Sequence, residues 1–196
     1  MEAEGRYICE PCLSIFRKKA ELRQNGNYYY LFYYESDIKH AIAEMKLENR
    51  RHLAVELAEL CKEPLFRLIR EKNIHLLIPV PVSKKRFRER GFNQVEEFLR
   101  ELGLPWRSIE KLRDTKHMYE LLDEEDRRKN IQDAFSSDLS TDGKNILLVD
   151  DIVTTGQTTN EIIKELRKNH RPANIYVFSI ALSKVFGKIK HRGDPA

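Results

Sequence analysis

The chain is poor in cysteine, has no long apolar run and carries no large excess of one charge. Its 196 residues include three cysteines, an odd number that does not make a disulfide framework, so a reducing compartment fits best. No stretch approaches the roughly 18 consecutive apolar residues a spanning helix requires. The best runs are short, as in Ile146-Leu147-Leu148-Val149, so membrane insertion is not expected. Met1-Glu2-Ala3-Glu4-Gly5-Arg6 sets acids where a signal peptide carries positive charge, with no apolar run behind them. The expectation is a soluble, cytoplasmic protein. With 35 Lys and Arg against 31 Asp and Glu, the net charge of +4 permits an anionic partner without requiring one. Hydrophobic residues at 41% and charged residues at 34% rule out disorder as the main state.

Residues 1–27 differ from the rest, with a Cys pair, a basic stretch from Arg17 to Arg23 and the turn-like Asn25-Gly26-Asn27. They read as an appendage, and residues 28–196 as the main domain. Tyr28 to Tyr34 is aromatic enough for a strand. Ile38, Ala41, Ile42 and Met45 fall at helical spacing, and Leu53, Leu57, Ala58 and Cys61 continue it, as two helices or one bent helix. Asn73 to Val80 predicts a buried strand, followed by an abruptly basic segment from Lys84 to Arg90. A helix is expected from about Asn93 to Leu102. The polar stretch from Arg107 to Asp142, with acids between Glu120 and Asp126, reads as irregular. The clearest unit comes last: a strand Asn145 to Val149, a loop Asp150 to Gly156, a helix from about Thr158 to Asn169 and a strand Asn174 to Leu182. Both strands are apolar throughout, as parallel strands covered on two faces are. The fold class is α/β, a Rossmann-like, mostly parallel sheet flanked by helices.

In such sheets ligands bind beyond the carboxyl ends of the strands, where Asp150-Asp151-Ile152-Val153-Thr154-Thr155-Gly156-Gln157-Thr158-Thr159 lies. Threonine hydroxyls and a glycine at the start of a helix suit a phosphate, because the helix presents unpaired N–H groups and the positive end of its dipole. Two carboxylates facing that phosphate would repel it, so they face sugar hydroxyls or a divalent cation instead. Phosphate, hydroxyls and metal together describe a ribose phosphate. The P-loop and the Gly-x-Gly-x-x-Gly dinucleotide fingerprint are both absent, which disfavours those classes.

Leu147 to Thr158 resembles the phosphoribosyl pyrophosphate signature of type I phosphoribosyltransferases. Ile78-Pro79-Val80-Pro81-Val82-Ser83, Arg90-Gly91-Phe92-Asn93-Gln94, Arg127-x-x-Asn130-x-x-x-Ala134-Phe135, and Lys46 after a Tyr-rich strand narrow the match to the ComF family. The resemblance implies a domain that binds phosphoribosyl pyrophosphate with Mg and a role in carrying single-stranded DNA during natural transformation, alongside a helicase-like competence protein. It assigns Asp150 and Asp151 to the ribose hydroxyls, directly or through the metal, and as the catalytic candidates. It assigns Thr154, Thr155, Gly156, Gln157 and Thr158 to the 5′-phosphate. Ser83, Lys84, Lys85 and Arg86 would lie near the pyrophosphate, whose developing charge calls for cations. Turnover is a separate matter, and the rival reading is a metabolic nucleobase phosphoribosyltransferase.

The segment holding Lys84, Lys85, Arg86, Arg88 and Arg90, with Phe87 and Phe92 interleaved, also has the composition of a flexible single-strand-binding loop, cations for phosphates and rings for bases. Cys9-Glu10-Pro11-Cys12 has the spacing of half a zinc site. A fuller ribbon extending upstream, a lost metal, zinc shared between two chains and a redox pair all stay open. Cys61 falls in a helical apolar pattern and reads as buried.

Overall fold

The computed structural model describes residues 8–46, 51–112 and 134–186. Its centre is a five-stranded sheet in the order β1 (Arg23–Asn25), β2 (Tyr28–Tyr33), β7 (Asn174–Leu182), β6 (Asn145–Val153), β3 (Leu76–Pro79). Only the β1–β2 pair is antiparallel, closed by a turn at Gly26 with φ 57°; the other three are parallel. The mostly parallel sheet expected from the apolar strands is therefore present.

Alternation along β6 explains why its residues are almost all apolar. Leu147 and Val149 enter one core cluster and Ile146 and Leu148 the other, so both faces are covered. One face packs on α1 (Glu10–Lys19), α2 (Ser36–Met45), α3 (Arg51–Glu71) and α5 (Gln94–Glu101), through Leu13, Ile42, Leu57, Leu65 and Phe98 among others. Phe98 stacks on Phe178 of β7 at 6.5 Å between centroids. The other face packs on α6 (Gln157–Lys168), whose Ile162 and Leu166 fall one turn apart toward the sheet. Each such buried side chain contributes about 1.5–3 kcal/mol relative to exposure.

Several expectations need correction. The acid pair is not in a loop: β6 runs on to Val153 because its ladder with β7 continues, Asp150 opposite Ser179 and Val153 opposite Leu182. The basic segment is not a flexible loop but the helix α4 (Lys84–Arg90). Ser83 starts it by accepting the Arg86 N–H at 3.2 Å, and Gly91, at φ 78°, ends it. The helical pattern after β2 resolves into two helices. The packing also does not divide at residue 27. β1 is a strand of the main sheet, and α1 buries Leu13 and Phe16 in the same cluster as α3 and α5. Within the stretch after Arg107, β4 (Glu110–Lys111) pairs antiparallel with β5 (Phe135–Ser136). The acids from Glu120 to Asp126, together with Arg127 and Asn130, lie outside the described residues.

Candidate ligand site at the strand ends

The parallel strands β3 and β6 end side by side, tied by the Val80 N–H to the Val149 carbonyl at 2.8 Å. This sets the acid pair beside the entry to α4. Successive strand residues leave the backbone toward opposite faces, so Asp150 and Asp151 start on different sides of the sheet, although their carboxyl groups still reach each other. Asp151 turns to the α2–α3–α5 side and is 5% exposed. Its Oδ2 meets Lys46 Nζ at 2.7 Å and accepts from Gln94 Nε2 at 3.1 Å. Its Oδ1 accepts from the Ile152 N–H at 2.8 Å. Gln94 is in turn held by Arg90, whose Nη1 donates to Oε1 at 3.1 Å. A row of four side chains, Arg90, Gln94, Asp151 and Lys46, thus joins α4, α5, β6 and the end of α2.

Asp150 is half-buried, and its Oδ1 accepts from the Asp151 N–H at 2.9 Å. The two acids behave oppositely. Burial, and then the neighbouring Asp151 charge, push the Asp150 carboxyl well above the usual carboxylate range. Burial pushes Asp151 the same way, but the Lys46 ammonium outweighs it and holds that carboxyl below its usual value. One acid is neutralised by the protein, and the other is left needing positive charge or a hydroxyl donor.

Beyond the strand, Thr154 and Thr155 are exposed and Thr158 is half-buried at the start of α6. Gly156 is required there twice over. Its φ of 73° disfavours any side chain, and a Cβ would lie 2.5 Å from Phe186 Cε2. Thr159 is spent on the scaffold: its hydroxyl donates to the Gly156 carbonyl at 2.9 Å and sits 3.0 Å from the Tyr28 hydroxyl. Gln157 Oε1 is buried with no hydrogen-bond partner among the described residues. An acceptor left so costs about 1–3 kcal/mol, which a ligand donor would remove.

The motif from Arg90 to Gln94 has a role different from the nucleic-acid contact its composition predicted. Phe92, in the link between α4 and α5, is 2% exposed and its ring is not open to a base, whereas Phe87, at 48%, is the exposed ring. Asn93 caps α5 through the Val95 N–H at 3.0 Å and donates to the Val80 carbonyl at 3.3 Å. Gly91 ends α4, and Arg90 and Gln94 serve Asp151. Lys84, Lys85 and Arg88 are exposed on α4, with Lys84 Nζ 3.6 Å from Glu110 and Lys85 Nζ 3.9 Å from Glu89. Ser83 is 6% exposed, its hydroxyl occupied in capping.

Cys9 and Cys12 sit together in the first turn of α1, Cys9 exposed and Cys12 half-buried. The hydrogen bond between the two sulfurs lowers the Cys9 thiol and raises that of Cys12. Among the described residues no group of three or more His, Cys, Asp or Glu is placed to hold a metal. Cys61 is fully buried in α3, as its spacing predicted, and burial pushes its thiol far up.

The phosphoribosyl transferase domain family matches residues 95–190, which hold β6, α6 and β7. Competence protein F of Haemophilus influenzae is 36% identical over 143 residues, covering 65% of this chain and 60% of that protein. DNA utilization protein YhgH of Salmonella typhimurium is 31% identical over 137 residues, with the same coverages of 65% and 60%. Competence protein ComFC of Bacillus subtilis is 26% identical over 176 residues, covering 89% of this chain and 71% of that protein. The chain thus spans about 60% of the length of the first two relatives. Together with the mostly parallel sheet and the acid pair at its carboxyl edge, these likenesses place the chain in the ComF family, with a phosphoribosyltransferase-type domain.

Proposed function

We propose that the protein is a cytoplasmic competence protein that binds phosphoribosyl pyrophosphate with Mg and contacts single-stranded DNA during its uptake. The observation that carries the ligand reading is the division between the acids. Asp151 is neutralised by Lys46, whereas Asp150 stands half-buried beside the glycine cradle of α6. The 5′-phosphate belongs on the N–H groups and the Thr155 and Thr158 hydroxyls at that helix start. The ribose hydroxyls belong on Asp150 and the orphaned Gln157 amide. The residues fit a divalent cation as well: burial and Asp151 penalise the negative charge of Asp150, and Asp151 is held by an ammonium on a partly exposed side chain that an arriving cation can contest. When bound, Mg would neutralise charge on the pyrophosphate. The names of the relatives, competence and DNA utilization proteins, support the role in DNA uptake. No described helix is long and apolar enough to cross a membrane.

Calorimetry with phosphoribosyl pyrophosphate and Mg tests the site. Binding is expected for the wild type and a loss of at least about 100-fold for Asp150→Asn with Asp151→Asn, the range expected when two charge-assisted contacts are removed. Unchanged affinity in the double variant would reject the assignment. Release of pyrophosphate in the presence of nucleobases would move the protein to the metabolic transferase reading.

For DNA, the contact surface is the outer side of α4, with the exposed Lys84, Lys85, Arg88 and Phe87 ring, and the half-buried Arg86 beside them. The pairs that Lys84 and Lys85 make are solvent-exposed and weak, so phosphates can replace them. Four cations engaging phosphates predict a slope of log affinity against log salt of about −3, since each contact contributes roughly −0.7 on single strands. Phe87→Ala is expected to cost about 1–3 kcal/mol if its ring carries a base. An affinity that ignores both salt and charge reversal at Lys84, Lys85 and Arg86 would remove α4 from the interface. Metal analysis of the purified protein decides whether Cys9 and Cys12 are zinc ligands.

A further inference from the structure

We propose that Lys46 is an exchangeable counter-ion. In the ligand-free protein its ammonium holds the place at Asp151 that a divalent cation contests when the phosphorylated ligand arrives. This rests on the reading of the strand-end site as one for a sugar phosphate with a metal ion. It adds a device for keeping that site closed to metal alone.

The geometry separates a fixed partner of Asp151 from a movable one. Gln94 is fixed: it is 5% exposed, it opens α5 next to the cap residue Asn93, and Arg90 holds its Oε1 from behind at 3.1 Å. Lys46 is held differently. It follows the last turn of α2, where its own N–H meets the Ala43 and Glu44 carbonyls, and its side chain is 28% exposed against 6% for that of Asp151. Four methylenes and a partly open path let the ammonium swing out with no change in the backbone, and water or a ligand phosphate can receive it. While it stays, both oxygens of the acid are already engaged. Oδ2 serves both Lys46 and Gln94, at 2.7 and 3.1 Å, and Oδ1 serves the Ile152 N–H. A divalent ion on Asp151 would then sit within a few ångströms of a full positive charge in a site largely closed to water, where repulsion is poorly screened.

Ligand binding alters this balance. The phosphates bring negative charge that can take up Lys46 as well as the metal, so the two cations stop competing and are both accommodated. Asp151 keeps its orientation during the exchange because Gln94 and Ile152 do not let go. Metal affinity is thereby tied to ligand affinity: the ion binds poorly to the empty protein and well to the complex.

The test uses Mn as a paramagnetic stand-in for Mg, titrated alone into the full chain and read by electron paramagnetic resonance. Lys46→Met is expected to bind Mn at least tenfold more tightly than the wild type. Lys46→Arg, which keeps the charge, is expected to match the wild type, and Lys46→Met with Asp151→Asn is expected to lose the gain. Equal Mn affinity in the wild type and in Lys46→Met would overturn the proposal. A second measurement needs no variant. Amine acetylation followed by mass spectrometry is expected to label Lys46 of the wild type at least threefold faster at saturating Mn than without metal. An unchanged rate would count against exchange. Neither readout uses phosphoribosyl pyrophosphate. A wild type that fails to bind that ligand in calorimetry would therefore overturn the preceding ligand assignment, while the Mn titration decides the role of Lys46 by itself.

Discussion

Gly156→Ala is expected to lower the melting temperature by about 5–15 °C and to abolish ligand binding. Two separate costs combine. An alanine forced to a φ of 73° carries roughly 1–2 kcal/mol of strain. Its Cβ, 2.5 Å from Phe186 Cε2, adds overpacking of about 1–3 kcal/mol as the ring is displaced. For a chain of this size each kcal/mol moves the midpoint by about 2–4 °C. Gly91 separates the two terms, since it has a similar φ of 78° but no neighbouring atom within 4 Å of the point a Cβ would occupy. Gly91→Ala should therefore show strain alone, about 1–2 kcal/mol. Combining Gly156→Ala with Phe186→Ala should relieve the overlap and leave the strain, at the added cost of the lost ring. Thermal denaturation of the wild type and these three variants checks the partition. A Gly156→Ala protein as stable as Gly91→Ala would show that Phe186 yields freely.

The two acids predict stability changes of opposite sign. Asp150 has its folded-state carboxyl raised, so the native state holds a proton there that the unfolded chain gives up near the ordinary carboxylate value of about 4. Its contribution is favourable below that value and is lost as pH rises through the raised one, so ionisation of this carboxyl works against the fold. Asp150→Asn removes the charge and keeps an acceptor for the Asp151 N–H. It is expected to raise the melting temperature at neutral pH and to flatten the decline with rising pH. Asp151 is the reverse case. Its carboxyl is lowered, so its stabilisation is full above about 4 and is lost as pH falls through the folded value. Asp151→Asn strands Lys46 and should cost about 1–3 kcal/mol, at or below the range for breaking a buried pair because the ammonium can turn to water. Melting curves of both variants between pH 3 and 8 check the signs. If both variants shift in the same direction at neutral pH, the division of roles between the acids is wrong.

Such a pair is a poor arrangement for stability and a useful one for binding. A fold optimised for stability alone would not hold two adjacent carboxylates at a strand end with an ammonium paired to one of them. The Asp150 penalty is the kind of local cost found at binding sites, where a ligand or ion removes it.

Much of this was legible in local patterns. The runs in β6 and β7 are apolar because both faces of a central parallel strand are covered, so their composition announced the sheet. Asn174–Leu182 starts and stops where the pattern did. The acid pair, the threonines and Gly156 lie within one short stretch and could be read together. The helical state of Lys84 to Arg90 was less legible, since a basic run with aromatic residues has the same composition in a loop. Ser83 and Gly91 were the available signals, as a cap before the run and a left-handed stop after it. Phe92 misled because composition does not say which of two nearby rings folding will bury.

By itself the sequence determined the α/β class, the placement of the acid–threonine–glycine stretch at the carboxyl edge of the sheet and the glycine that the α6 start requires. These depend on residues close along the chain, whose spacing and backbone preferences act locally. Only the tertiary structure decided that Asp151 is claimed by Lys46 and Gln94 while Asp150 stays available, that α1 belongs to the core, and that Phe87 rather than Phe92 is exposed. Those outcomes depend on groups far apart in sequence, such as Gln94 and Asp151 at 57 positions. Burial and Coulombic pairing act on distances in space, and those distances exist only once the chain has folded.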